Sequence, residues 1–285
     1  MSRLHRSMCL CGLFLAPLAG AQITTPTFPH PLITEILYAV PGGPKGDASG
    51  DGVRDAVGDE FIELVNPHDK PIQLKGYVLL DADAWDPGAP RKDPPAKPSQ
   101  PATGKPAEPP AAPAKPKDDD HRGQIRFVFP ELELKPGEVV VVFNGYKQTL
   151  AGNVGDSTKA AAKNDTFHGA HVFTMKNESP YAALGNEGDF IILMAPGDKA
   201  VEVVRWGSTT KNPPKDVLLA EEAPKSIGSV QREGVHGKLV PHKELKGELA
   251  GTAFSPGVFS LEPGVDAPKT KPTTPGNTPH SKPKK

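Results

Sequence analysis

The stretch GDASGDGVRDAVGDEFIELVNP (46–67) crowds acidic side chains into a turn-rich run that then becomes strand-like. Within it, Asp47-x-Ser49-x-Asp51-Gly52-x-x-Asp55 copies the first half of a calcium loop, with oxygen donors at alternate positions and glycine at the sharp turn. The Val53 carbonyl falls at the seventh position. The twelfth is Gly58 where a bidentate acid is wanted, and Asp59 or Glu60 is the nearest substitute. Hard oxygens with no sulfur or imidazole among them specify calcium, held structurally and weakly. The other reading of the same residues is an acidic solvated loop whose glycines serve turns.

Other chemistry is thinner. HGAH (168–171) places two histidines three apart, which in a strand sends them to opposite faces and argues against zinc. His236 and His242 stand alone in the same way. There is no G-x-S-x-G, H-E-x-x-H or G-x-x-x-x-G-K-[ST]. GDSTK (155–159) lacks the first glycine of a phosphate loop. No acid and base are singled out among the turn carboxylates, so no catalytic residue is assigned. A net charge of −1 and 6% aromatic residues give no basic, aromatic-laced face, so nucleic acid is not an expected partner.

The elements that must carry these residues read as strands. LITEILY (32–38), EFIELVN (60–66), IQLKGYVLLD (72–81), QIRFVF (124–129), EVVVVF (138–143), HVFTM (171–175), DFIILMA (189–195), AVEVVRW (200–206) and SIGSVQR (226–232) are short and rich in Val, Ile and Phe. Gly, Pro, Asn or Asp often separates them. In AVEVVRW, Val201, Val203 and Arg205 are expected on one face, with Glu202, Val204 and Trp206 on the other. APGDKA reads as a hairpin turn with Gly197 and Asp198 at its tip, and Pro136-Gly137 as a turn before a strand. GNEGD (185–189) reads as a turn whose glycines allow positive φ. The only helical candidate is DSTKAAAKN (156–164). Many short strands without βαβ alternation imply an all-β sandwich.

Three segments lie outside that pattern. MSRLHRSMCLCGLFLAPLAGAQ has early arginines, a short apolar run and Ala19-Gly20-Ala21, which reads as a signal peptide over 1–21 with cleavage before Gln22. Both cysteines, Cys9 and Cys11, fall inside it, so the mature chain is expected to contain no disulfide or thiolate site. A secreted, periplasmic or cell-surface protein follows, with no later stretch apolar and long enough to span a bilayer. Residues 86–120, rich in Pro, Ala, Lys and Asp, and the Pro/Lys-rich tail 263–285 read as polyproline-like and disordered. The first of these is an insert within one domain spanning 22–262, because a sandwich tolerates a long loop.

Taken in order, LITEILY, DEFIELVNPHDKPIQLKGYVLLD, LELKPGEVVVVF, ALGNEGDFIILMAPGDKAVEVVRWG, SIGSVQRE and FSPG resemble the bacterial lamin-tail domain over about residues 32–257. The resemblance implies an immunoglobulin-like β-sandwich acting as a binding or surface-attachment module and not as a catalyst. Such bacterial domains are often secreted and sometimes joined to hydrolase or nuclease domains. Tyr77 stands where the family often has Trp, and the insert is a second departure. The expected function is thus a secreted, non-catalytic binding or scaffold module whose partner is an extracytoplasmic protein or envelope component. The alternative is an extracellular hydrolase or nuclease-associated accessory protein using the acidic cluster 47–60.

Overall fold

A computed structural model describes residues 25–85 and 124–262. The expected signal peptide, insert and tail lie outside the described residues. In chain order the strands are β1 (Leu32–Leu37), β2 (Phe61–Val65), β3 (Ile72–Gln73) and β4 (Val78–Asp81), then a single helical turn α1 (Ala82–Trp85). After residue 124 come β5 (Arg126–Val128), β6 (Glu133–Leu134), β7 (Val139–Phe143), β8 (Lys163–Asn164), β9 (Ala170–Thr174) and β10 (Gly188–Ala195). The last are β11 (Lys199–Gly207), β12 (Val217–Ala223), β13 (Val230–Arg232) and β14 (Leu239–Pro241).

They form an all-β sandwich. One sheet has the order β14-β13-β1-β2-β7-β9-β8 and the other β12-β11-β10-β4-β5, with β3 and β6 as a small separate ribbon. Most pairs are antiparallel, but β7 with β9 and β11 with β12 are parallel. Period-2 alternation explains the layering. In β2, Ile62 and Leu64 face the inter-sheet core, while Phe61 and Val65 face outward. The inward set of the first sheet (Ile33, Ile36, Val140, Val142) meets Leu79, Ile191, Leu193 and Val204 of the second. Burying each such side chain contributes about 1.5–3 kcal/mol. Tyr38 and Trp206 stack at 4.5 Å across the two layers. The strand VVVVF is apolar on both faces because the outer face of the first sheet is itself covered, by Phe167 and Phe259 among others.

Several local expectations need correction. The run 72–81 is two strands, since Gly76 at φ +80 closes a turn and Tyr77 N–H donates to the Leu74 carbonyl at 3.0 Å. The helix expected over 156–164 is absent. Asp156 Oδ1 accepts the N–H groups of Thr158 and Lys159 at 2.8 and 3.0 Å, closing a local turn. Asp and Thr compete in this way with helical hydrogen bonding. In β11 the alternation holds from Glu202 onward but Val201 is inverted. The register steps from Leu193↔Glu202 to Met194↔Ala200, so Val201 is the extra residue of a bulge and joins Val204 and Trp206 in the core. Gly197 and Asp198 do form the hairpin tip, at φ +84 and +59. Gly185 and Gly188 do not adopt positive φ; close packing requires the glycine at 188, where a Cβ would lie 2.1 Å from the Ser208 carbonyl oxygen. Strands β12 and β14 were not anticipated, and VLLAEEA in particular lacks a clear apolar alternation.

Candidate functional site

The acidic run forms the connection between β1 and β2, and its carboxylates are turned toward amide groups. Asp47 accepts the N–H groups of Gly50 and Gly52, both at 2.8 Å, and the Ser49 hydroxyl at 3.1 Å. Asp51 accepts from Val53 N–H at 2.8 Å and Thr149 N–H at 3.0 Å. Asp55 Oδ1 accepts from Val57 and Gly58, both at 2.9 Å. Asp59 is buried and bridges the loop, accepting from Ser49 N–H at 2.8 Å and Asp55 N–H at 2.7 Å. Glu60 points elsewhere, into the interior, where it accepts from Leu184 N–H at 3.0 Å and the Asn144 amide at 3.3 Å. Val53 is exposed. Among the described residues no three His, Cys, Asp or Glu side chains gather to hold a metal ion. As arranged, Asp47, Asp51 and Asp55 each close a local turn on amides just ahead of them, Asp59 ties Ser49 to Asp55, and Glu60 faces the interior.

The histidines are equally dispersed. His168 takes φ +55 after a short 3₁₀ turn, while His171 is buried with Nδ1 2.9 Å from the Ala161 carbonyl. His236 meets Thr25 Oγ1 at 2.9 Å.

The densest polar constellation lies on the outer face of the seven-stranded sheet, and sequence reading missed it. Glu35 and Glu63 are register partners on β1 and β2, and both are fully buried. The segment 242–262 crosses above them. Its Ser255 N–H donates to Glu35 Oε1 at 3.0 Å, and its Gly257 N–H donates to Glu63 Oε2 at 2.8 Å. Thr34 Oγ1 donates to Glu63 Oε1 at 2.8 Å, and the Ser229 hydroxyl donates to Glu35. Burial, then repulsion from Glu63, holds Glu35 well above the usual carboxylate range. Burial raises Glu63 to about 7. Two strand-centre glutamates on a face otherwise made of Leu32, Leu37, Phe61 and Val65 were the available signal.

Beside this pair, Ser255 Oγ lies 2.7 Å from His242 Nε2, and His242 Nδ1 lies 3.0 Å from the Thr252 carbonyl. A carbonyl on Nδ1 fixes the proton there and leaves Nε2 to accept the serine hydroxyl, the arrangement of an activated nucleophile. The surroundings oppose that chemistry. The nearby Ser255 and Gly257 amides, which could face an oxyanion, already donate to Glu35 and Glu63. Negative charge developing beside two carboxyl groups would be destabilised, not stabilised. Burial lowers His242 to about 4, so it is neutral over the physiological range.

Around the segment runs a groove of about 1050 Å³, bordered by the 47–50 loop, Phe167, Lys163, Lys246, Phe254 and Val258. It mixes apolar walls with charges of both signs. A second buried acidic group sits between the layers: Asp189 accepts from Gly185, Phe190 and Ala82 N–H groups, and Asp81 accepts from Ala84 N–H at 2.6 Å. Burial and mutual repulsion raise Asp81 to about 8, and burial raises Asp189 to about 6.

No protein-family model and no curated protein matches the chain. Among the described residues no helix is long and apolar enough to cross a membrane.

Proposed function

We propose that this chain is a non-catalytic, extracytoplasmic binding module of the lamin-tail type, with the groove on the seven-stranded sheet as its ligand surface. The carrying observation is that the groups best placed for chemistry are already engaged with the chain's own backbone. The acidic loop amides, Ser255 N–H and Gly257 N–H all donate to side-chain carboxyl oxygens. What stays open to solvent is the groove, and clefts of about 300–1,000 Å³ are the usual seat of ligand recognition. The resemblance of six sequence stretches to the lamin-tail domain supports the reading, since those stretches fall on successive parts of one sandwich, ending with FSPG on the segment over Glu35 and Glu63. The signal-like N-terminus supports an address beyond the inner membrane, with an envelope component or another exported protein as partner.

The test is a comparison of wild type with Phe254→Arg at the groove, each immobilised and exposed to envelope extract and to defined ester and nucleic-acid substrates. The module reading expects an envelope component retained by wild type and lost from the variant, without turnover. Hydrolysis by wild type that vanishes in Asp51→Ala would favour the alternative that uses the acidic cluster 47–60, and hydrolysis that vanishes in Ser255→Ala would place a nucleophile beside His242 instead.

A further inference from the structure

The segment 242–262 carries two short 3₁₀ turns but no strand, and it crosses the outer sheet face largely on polar ties. Two are backbone N–H bonds, from Ser255 to Glu35 and from Gly257 to Glu63. Others run from the Gln231 amide to the Val258 carbonyl at 2.8 Å, from Ser229 N–H to the Ala253 carbonyl at 2.9 Å, and at the segment's ends from His242 N–H to the Ser229 carbonyl and from Val235 N–H to the Leu261 carbonyl, both at 3.0 Å. Phe259 packs beneath it on the outer cluster. Its main acceptors are therefore two glutamates directly opposite one another on adjacent antiparallel strands. Such partners hold their Cβ atoms about 4.5–5.5 Å apart, and like charges there are destabilising.

We propose that residues 242–262 form a releasable strap, held down while the Glu35–Glu63 pair retains a shared proton and lifting as the pair becomes doubly charged.

The geometry supplies no cation to relieve the second charge. Among the described residues, the ionisable group facing the pair from the strap is His242, whose Nε2 is 3.8 Å from Glu35 Oε1 and which is buried and neutral. From β13, Arg232 turns to the other side, to Glu202 and Glu221. The β7 residue paired with Glu63 is Val141. A doubly ionised pair must find water, and the strap is what separates it from solvent. Lifting hydrates both carboxylates and uncovers the groove floor. A group whose proton is held more tightly in the closed form stabilises closure at low pH, and that stabilisation is lost as pH rises. Burial raises Glu63 to about 7, and burial with repulsion from Glu63 holds Glu35 well above the usual carboxylate range, so ionisation of both belongs to the range above neutrality.

Amide hydrogen exchange on the full chain between pH 6 and 9 tests this, with rates corrected for intrinsic exchange. Protection at Ser255, Gly257 and Val258 should fall by up to about tenfold per pH unit, the slope for one proton, while β10 amides keep theirs. In Glu63→Gln the carboxamide oxygen still accepts Gly257 N–H but cannot ionise, so strap protection should stay flat. Glu35→Gln serves the same purpose should the first variant not fold, and the wild-type contrast between strap and β10 decides the matter without either. Constant strap protection from pH 6 to 9, loss of strap and β10 together, or the same slope in a folded glutamine variant would overturn the proposal.

Discussion

Replacing Arg232 by Met should show how the two sheets are joined at one edge. Arg232 is buried on β13 and its guanidinium reaches across the layers. It donates to Glu202 Oε1 at 2.9 Å, to both carboxylate oxygens of Glu221, to the Ile33 carbonyl at 3.1 Å and to the Gly237 carbonyl at 3.2 Å. Glu202 also accepts Ile33 N–H at 2.8 Å. Methionine fills similar volume but leaves two carbonyls and two carboxyl groups without their donor. Unsatisfied buried polar groups cost about 1–3 kcal/mol each, and removing one member of a buried ion pair costs about 3–5 kcal/mol. For Glu202 the second figure applies only when that group is charged. Burial pushes Glu202 up to about 8 even with the guanidinium beside it. Without Arg232 its folded value rises further, while the unfolded value stays near 4.3. Wild type therefore stops losing stability through this group near pH 8, and the variant continues to lose it above pH 8. Urea unfolding at pH 6 should give a deficit of at least about 4 kcal/mol, the lower bound for the four groups left without their donor. At pH 9 the deficit should grow by about 1.4 kcal/mol, the worth of one pH unit for one proton. Glu202→Gln in the Arg232→Met background should remove that growth, since glutamine still accepts Ile33 N–H. A deficit below about 0.5 kcal/mol, or one that does not change with pH, would refute the reasoning.

The acidic loop should behave as a hydrogen-bonded turn: Asp59→Ala should cost about 1–3 kcal/mol by freeing the Ser49 and Asp55 amides. Thermal melts of wild type should coincide in calcium and in chelator, whereas a stabilisation near 2.7 kcal/mol at a hundredfold excess over Kd would mean that the loop rearranges into a cation site. Gly188→Ala should destabilise by about 1–3 kcal/mol because its Cβ would meet the Ser208 carbonyl at 2.1 Å, while Gly42→Ala, with nothing within 4 Å, should be silent in the same melts. Between pH 6.5 and 8.5 the acids raised to about 7 (Glu63) and about 8 (Asp81) lose their folded protons, while His242, lowered to about 4 in the fold, still titrates in the unfolded chain near pH 6.5 and offsets only part of that loss at the low end. A raised acid stabilises below its unfolded pKa and loses that stabilisation as pH climbs through the folded value, so the melting temperature should decline across this range; a flat or rising curve would count against these assignments.

The sandwich was legible because its core strands obey a simple rule. FIELV, VVVVF and FIILM are β-branched or aromatic runs bounded by turn residues, and each became a strand within a residue or so of expectation. The misses share a cause, which is context that period and propensity do not encode. VLLAEEA is an edge strand with exposed Leu218 and two glutamates, held by parallel pairing to β11, so its own pattern carries little signal. Val201 follows from a bulge set by the partner strand. The acidic loop was noticed for its residue types, but spacing alone does not say whether a carboxylate faces a cation or an amide. Here the Asp47 and Asp55 side chains bond amides only a few residues ahead, a choice available to any Asp in a glycine-rich turn. The Glu35–Glu63 pair was missed because each glutamate sits in a recognisable strand, where a polar residue on the outer face ordinarily means solvent. Only the return of residues 242–262 from far along the chain buries them.

That return explains why so many carboxyl groups are inside this protein. Three long irregular stretches must lie against the sheets: the 41–60 connection, residues 144–162 and the 242–262 strap. Each has amide groups that no neighbouring strand can accept, and a buried amide without a partner is costly. The described residues contain no cysteine to tie them down. Carboxylates at fixed strand and loop positions do the tying instead, Asp59 for the first stretch and Glu35 and Glu63 for the third, while in the second the Asn164 carboxamide donates to the Ala151 and Asn153 carbonyls. A disulfide would hold a stretch permanently, whereas a carboxyl tether holds it with a strength set by protonation. Glu35 and Glu63, paired opposite each other, are where that dependence is steepest, and they underlie the groove proposed as the ligand surface.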